Sequence, residues 1–328
     1  ANGYLMSGDF LEADDASQRA VELARECGDQ KELVRALDKR AWTHTKTGRL
    51  DGARRCFAEA CRRAAEQGDR HMELGARRGL AAGLDQQGKT LEARDAYVQL
   101  LGEVREAGFR GLEAYCLNGL GESERFLGNV EESQSYYKRA ESLLREVNQL
   151  EILALVSLNL AMTELMRGDH EAAATYLDQC EQRCNQYAVG WLSLLKQLAR
   201  VAWAASAGEW QVFDEWIAEF RDGLPEDAGL EKDHGWLLEM AGVRSAEAGE
   251  TERARLASTL ALEIWRALDA ERSVARQFGM VTFKRFGGGD HYITKRFMGN
   301  LHEHGLEKAR ELFLEQLEKS DSEPSDIH

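Results

Sequence analysis

The stretch GRLDGARRCFAEACRRAAEQGD, residues 48–69, decides the fold. It opens on a glycine turn, carries Ala53, Phe57, Ala60, Cys61 and Ala64 at helical spacing, and closes on a second turn at Gly68-Asp69. Apolar residues three and four apart share one face of a helix, so the segment reads as a single amphipathic helix with one buried stripe. The glycine at either end tolerates the left-handed backbone that stops a helix.

Outward from this stretch the same opening turn recurs. Gly8, Gly48, Gly88, Gly128, Gly168 and Gly208 follow one another at intervals of 40 residues, and Gly249 follows after 41. The segments they open read GDFLEA, GRLDGA, GKTLEA, GNVEES, GDHEAA, GEWQVF and GETERA. Half a period later a second turn stands at Gly28-Asp29, Gly68-Asp69, Gly108-Phe109 and Asn148-Gln149. Each period therefore holds two helices. Asp29 and Asp69 stand where an N-cap is expected, and Asp29 has Glu32 three residues on, as in a capping box. A lone helical hairpin cannot cover its own apolar face, so neighbouring hairpins must stack into an all-α solenoid of antiparallel helix pairs.

Composition agrees. Only Pro225 and Pro324 interrupt 328 residues rich in good helix formers. With 43% apolar and 30% charged residues the chain can bury a core and stay in solution. The formal charge of −15 opposes sequence-independent binding to a polyphosphate backbone, so nucleic acid is disfavoured as a partner. No apolar run is long enough for a membrane span, and no basic-then-apolar leader opens the sequence. The six cysteines, Cys27, Cys56, Cys61, Cys116, Cys180 and Cys184, contain no Cys-x-x-Cys pair, which fits free thiols in a reducing, cytoplasmic compartment.

Small residues recur seven before the turn glycine, at Ala41, Ala81, Gly121, Ala161 and Gly242. Small, aromatic and small residues follow it, as in Ala53, Phe57, Ala60 and in Ser133, Tyr137, Ala140. On these positions the chain resembles the tetratricopeptide repeat (TPR) family over roughly residues 1–270, with a weaker continuation to 304. The family's closing proline is missing and its early tryptophan mostly absent, and the period of 40 exceeds the usual length. The long helices look like the extended variety in bacterial regulators of the MalT type and in tails of Ser/Thr kinases or caspase-like proteases. The resemblance implies a right-handed superhelix whose concave groove holds a protein or peptide.

Three places depart from the period. Residues 223–233, GLPEDAGLEKD, replace an expected helix end and read as a surface insertion. Gly287, Gly288 and Gly289 stand where a further turn is due, in a degenerate last repeat over 271–304. Residues 305–319 then read as a capping helix and 320–328 as a disordered polar tail. The sequence before Gly8 supplies only half a repeat, which suggests a piece of a longer protein.

No catalytic constellation stands out. Cys180 and Cys184 share a helix face but have only His170 near them in sequence and read as buried thiols. His302 and His304, two apart, point in different directions on a helix. The glycine run lacks the lysine of a phosphate-binding loop. We expect no metal, no cofactor and no enzyme activity in this chain.

The groove remains. By the family resemblance its exposed positions precede each turn glycine on the first helix of a pair. They give Arg35, Asp38, Trp42, Thr45 and Lys46, then Arg78, Asp85 and Gln86, then Tyr115, Asn118, Glu122, Arg125 and Phe126. The next repeats give Leu155, Leu158, Met162, Leu165 and Met166, then Leu195, Leu198, Ala202 and Ala205, with Trp236 further on. The first set is polar and aromatic and the second apolar. An apolar stripe marks either a partner site, suited to adaptable methionines, or a superhelix wound tightly enough to bury it. Trp191, Trp203, Trp210, Trp216, Trp236 and Trp265 crowd the second half and read mainly as packing between repeats. The function expected is a scaffold that holds a partner protein or peptide in the groove. The alternative is a regulatory arm of a kinase or protease whose catalytic domain precedes residue 1, and a nucleic-acid solenoid ranks below both.

Overall fold

The computed structural model describes residues 2–222 and 230–268. The degenerate repeat, the capping helix and the tail expected beyond residue 270 lie outside the described residues, as do the glycine run and His302 and His304. Fourteen α-helices and no strand occur among the described residues. They are α1 (Asn2–Ser7), α2 (Phe10–Glu26), α3 (Gln30–Lys46), α4 (Leu50–Glu66), α5 (Arg70–Gln86), α6 (Thr90–Glu106) and α7 (Arg110–Leu127). The second half holds α8 (Val130–Glu146), α9 (Leu153–Arg167), α10 (His170–Tyr187), α11 (Ser193–Ala207), α12 (Trp210–Asp222), α13 (Lys232–Glu247) and α14 (Thr251–Ala267). Odd-numbered helices are the first of each antiparallel pair. Short 3-10 turns at Leu150–Ile152 and Gly190–Leu192 lead into α9 and α11.

Every turn glycine from Gly8 to Gly249 has the positive φ its position requires, as do Gly28, Gly68 and Gly108 half a period on. After nearly all of these turns the chain donates back to a carbonyl five residues earlier, as Asp69 N–H does to Ala64 (2.9 Å) and Asn129 N–H to Glu124 (2.8 Å). These bonds satisfy carbonyls that the helix end would leave bare. Asp29 caps α3 by accepting from Lys31 and Glu32 amides, and Asp69 caps α5 through the Met72 amide. Glu32 itself turns to Arg35, so the capping box is half made. Two left-handed turns carry side chains, at Asn148 (φ 56°) and Ala188 (φ 52°).

Aromatic residues lock one helix against the next. The Phe57 ring on α4 lies so close over Gly79 on α5 that a Cβ there would meet it at 2.3 Å. Tyr97 on α6 covers Gly119 on α7 in the same way, and Tyr137 on α8 covers Gly121. The helices approach because glycine lets them, and the aromatic fills the space. Three apolar cores follow in chain order, one under α2–α5, one under α5–α9 and one from the end of α7 through α14.

The solenoid winds tightly enough to meet itself. α1 touches the 190–192 turn, where Gly190 packs on the Ser7 carbonyl with no room for a Cβ. The start of α13 reaches across the interior to α3, α5 and α7. Residues 231–233, expected on a surface insertion, are therefore interior, with Lys232 and Asp233 buried.

Candidate functional site

The winding forms a half-open cavity of about 590 Å3. Its wall comes from α3, α5 and α7, with the starts of α9 and α11, the 190–192 turn and the residues opening α13. Among the residues expected in the groove, Asp38, Trp42, Lys46, Arg78, Tyr115, Asn118, Glu122 and Leu155 line it together, as do Thr45, Gln86 and Leu195. Such a volume lies within the roughly 300–1,000 Å3 of sites that enclose small ligands.

The wall has two charged features without an ion-pair partner among the described residues. The first is Arg78, whose guanidinium sits between the rings of Trp42 (4.5 Å) and Tyr115 (4.7 Å). The two rings come from the repeats before and after its own, so three successive repeats build one aromatic sandwich around a cation. Its Nε is buried and donates to no partner among the described residues. Asp38 is the nearest acid in effect. Burial holds its carboxyl above the usual range, against the pull of Lys39 and Arg78.

The second feature is Glu122. Its Oε1 accepts from Asn118 Nδ2 (2.8 Å) and Asn159 Nδ2 (3.2 Å), and Asn159 also donates to Asn118 Oδ1 (3.0 Å). Burial, with the carboxylates of Asp233 and Asp85 nearby, pushes its pKa up to about 7, while Arg125 and Lys232 pull the other way. A carboxyl poised there is half ionised at neutral pH.

Below these lies a clasp. Consecutive residues Glu231, Lys232 and Asp233 pair with Lys46, Asp85 and Arg125, which hold near-equivalent positions in three successive repeats. The charges alternate, so only one register satisfies all three. Arg125 donates to Asp233 at 2.6 Å with no exposed side-chain surface. It also stacks near Phe126 (4.5 Å) and Trp236 (4.9 Å), and Lys232 Nζ stands 3.6 Å from the Phe126 ring centre. The Glu231 amide donates to His234 Nδ1 (2.9 Å), and burial holds that imidazole below its usual pKa, so it stays neutral.

The remaining groove candidates lie elsewhere. Arg35 is exposed and pairs with Glu32. Asp85, Arg125, Phe126 and Trp236 are buried in or around the clasp rather than facing open space. Leu158, Met162 and Leu165 have no exposed surface and share one core with Leu198, Ala202, Ala205 and Trp236, while Met166 packs on its edge. The concave faces of these repeats touch each other, so their stripe is interior packing. Several wall residues fall outside the position rule, namely His71, Met72, Trp191 and Ile152, while Leu5 and Met6 stand before Gly8 as Thr45 and Lys46 stand before Gly48. Trp191, read from the sequence as packing, instead faces the cavity with Lys46 4.1 Å from its ring. The step of 41 residues is the one signal in the sequence that residues 231–233 leave the common path.

Residues 111–186 match the tetratricopeptide repeat family model. The helix pairs and turn geometry above continue the same TPR-like helical-repeat pattern through the described residues. Among solved structures the chain is similar to a Rap protein crystallised in complex with Competence and Sporulation Factor. That match is 16% identical with a TM-score of 0.67, and covers 81% of this chain and 73% of the Rap chain. BtubC (BKLC) from P. vanneervenii aligns at 20% identity over 79% of this chain and 92% of its own, with a TM-score of 0.43. No curated protein sequence matches. No helix among the described residues is long and apolar enough to cross a membrane.

Proposed function

We propose that this chain binds a short segment of another polypeptide in its central cavity. The observation that carries the reading is the wall of this half-open cavity, where aromatic and aliphatic side chains surround Arg78 and Glu122, two half-buried charged groups with no ion-pair partner among the described residues. Binding sites combine mostly apolar lining with a few placed polar groups, and charges left unpaired away from water are costly unless a ligand meets them. The cavity's volume suits a few residues of extended chain better than a folded domain. The Rap protein with a similar fold is itself complexed with Competence and Sporulation Factor, which lends the reading support.

In this reading the cavity holds and does not transform its occupant, and the array couples occupancy to its own winding through the clasp. A photo-reactive residue at Tyr115 tests it, with a second at Leu91, an exposed position on α6, as control. Adducts with a polypeptide from Tyr115 and none from Leu91 are expected. Adducts at Leu91 alone would defeat the assignment.

A further inference from the structure

We infer that the cavity selects a zwitterionic peptide, one whose carboxylate pairs with Arg78 and whose ammonium group pairs with Glu122. The inference rests on the peptide-binding reading above and deepens it by naming the charges of the occupant.

Two independent observations point the same way. Arg78 is held in place by two rings, with an unpartnered Nε and a planar donor edge left over. A guanidinium fixed by stacking offers parallel N–H donors whose geometry matches a carboxylate, and ordering it beforehand removes part of the entropy cost of binding. The neighbouring cations Lys46, Lys232 and Arg125 are already paired with Glu231, Asp85 and Asp233, so Arg78 is the cation among these left to an incoming anion.

Glu122 is the complement. Two asparagine amides orient its carboxyl from one side, and amide hydrogens satisfy an oxygen without neutralising its charge. The charged groups facing it are Asp85 from α5, Arg125 from its own helix, and Lys232 and Asp233 from α13, with the Tyr97 hydroxyl of α6 and the Tyr137 hydroxyl of α8 nearby. Arg125 and Lys232 are engaged by their own acids, which leaves the Glu122 carboxylate unmatched until a cation arrives. Its raised pKa is the mark of that deficit. Binding an ammonium group would release the proton it holds near neutrality, so affinity for cationic peptides rises between pH 6 and pH 8. Met72, Ile152, Leu155 and Leu195 supply the apolar lining for the peptide's carbon.

Affinity selection tests this with two synthetic pools of random hexapeptides, one with free termini and one acetylated and amidated. Peptides retained by the protein are sequenced by mass spectrometry. Retained members of both pools are expected to carry at least one carboxylate and one ammonium or guanidinium group, supplied by side chains in the blocked pool. Arg78→Met, which keeps an unbranched stem between the rings, should abolish the selection for acids and weaken a selected peptide about tenfold. Glu122→Gln, which keeps the asparagine contacts, should do the same for bases and flatten the pH dependence. Both variants are first matched to the parent protein by circular dichroism and melting. Retained peptides with no charge preference, or preferences unchanged in both variants, would overturn the inference while leaving peptide binding intact. Retention of nothing from either pool would overturn the binding reading itself.

Discussion

The repeats built on α3, α5 and α7 and those built on α9 and α11 place equivalent residues on their concave faces, yet the two faces end differently. In the first set Trp42, Arg78, Tyr115 and Glu122 look into a cavity. In the second, Met162, Leu165, Leu198 and Ala202 are sealed against one another and against Trp236. The helix pairs are alike, so the difference comes from side-chain chemistry and from what crosses the interior. Apolar faces collapse together because burial is favourable at roughly 25 cal/mol per Å2. Polar and aromatic faces stay apart, and the charged start of α13 bridges them by pairing instead of filling the space. The comparison separates a sealed stripe that holds the shape from a cavity wall that can receive a guest.

The comparison can be broken most sharply at the clasp. Arg125→Ala leaves Asp233 buried without its partner, and an uncompensated buried charge costs about 3–5 kcal/mol. Chemical denaturation should register that loss, and combining it with Asp233→Ala should recover a large part. If Arg125→Ala unfolds at the parent's midpoint, the two halves are not held together as described. Next in size, Met162→Ala should cost about 3 kcal/mol as a core cavity, against about 1 kcal/mol for Leu155→Ala on the cavity wall. Both residues lie on α9, and equal losses would erase the distinction between its sealed stripe and its end at the cavity wall.

Glu122→Gln sharpens it further. Unfolded, this carboxyl ionises near 4.5, and folded near 7. Between those values the folded state holds the extra proton, so its contribution to stability is present below pH 4.5 and lost as pH rises through 7. The glutamine variant should match the parent at pH 4 and exceed it by about 3 kcal/mol at pH 8 in thermal or urea melts. A pH-independent difference would mean that the carboxyl is not desolvated by the cavity. The smallest effect lies at Ala188, whose left-handed backbone carries a strain of about 1 kcal/mol that glycine would not. Ala188→Gly should stabilise by about that amount without altering any cavity property.

Much of this architecture is legible in the amino-acid sequence. The glycine period sets every odd-numbered helix in phase, and the left-handed turns fall where glycine stands, with Asn148 an expected substitute. Ala188 is not legible, because alanine carries no preference for that backbone and only tertiary packing holds it there. Counting back from the turn glycine finds the wall residues of α3, α5 and α7, since those repeats share one pitch. The same count fails at Leu158 and Met162. A position rule describes one helix pair, whereas burial there depends on how strongly successive pairs wind, which the apolar stripe announces only as an ambiguity. Lys232 and Asp233 are misplaced by the sequence for a related reason. Their partners lie 147 and 108 residues away along the chain, and a Pro- and Gly-containing stretch reads locally as surface.

The central claim is that the cavity walled mainly by α3, α5 and α7 receives the guest and the sealed stripe around Met162 and Leu198 does not. Hydrogen–deuterium exchange, with and without a peptide selected from the pools, measures this most directly. Added protection is expected in α3, α5 and α7 and at the start of α13, with α4, α6 and α8 unchanged. Protection confined to the even-numbered helices, or to α11 and α14, would contradict it.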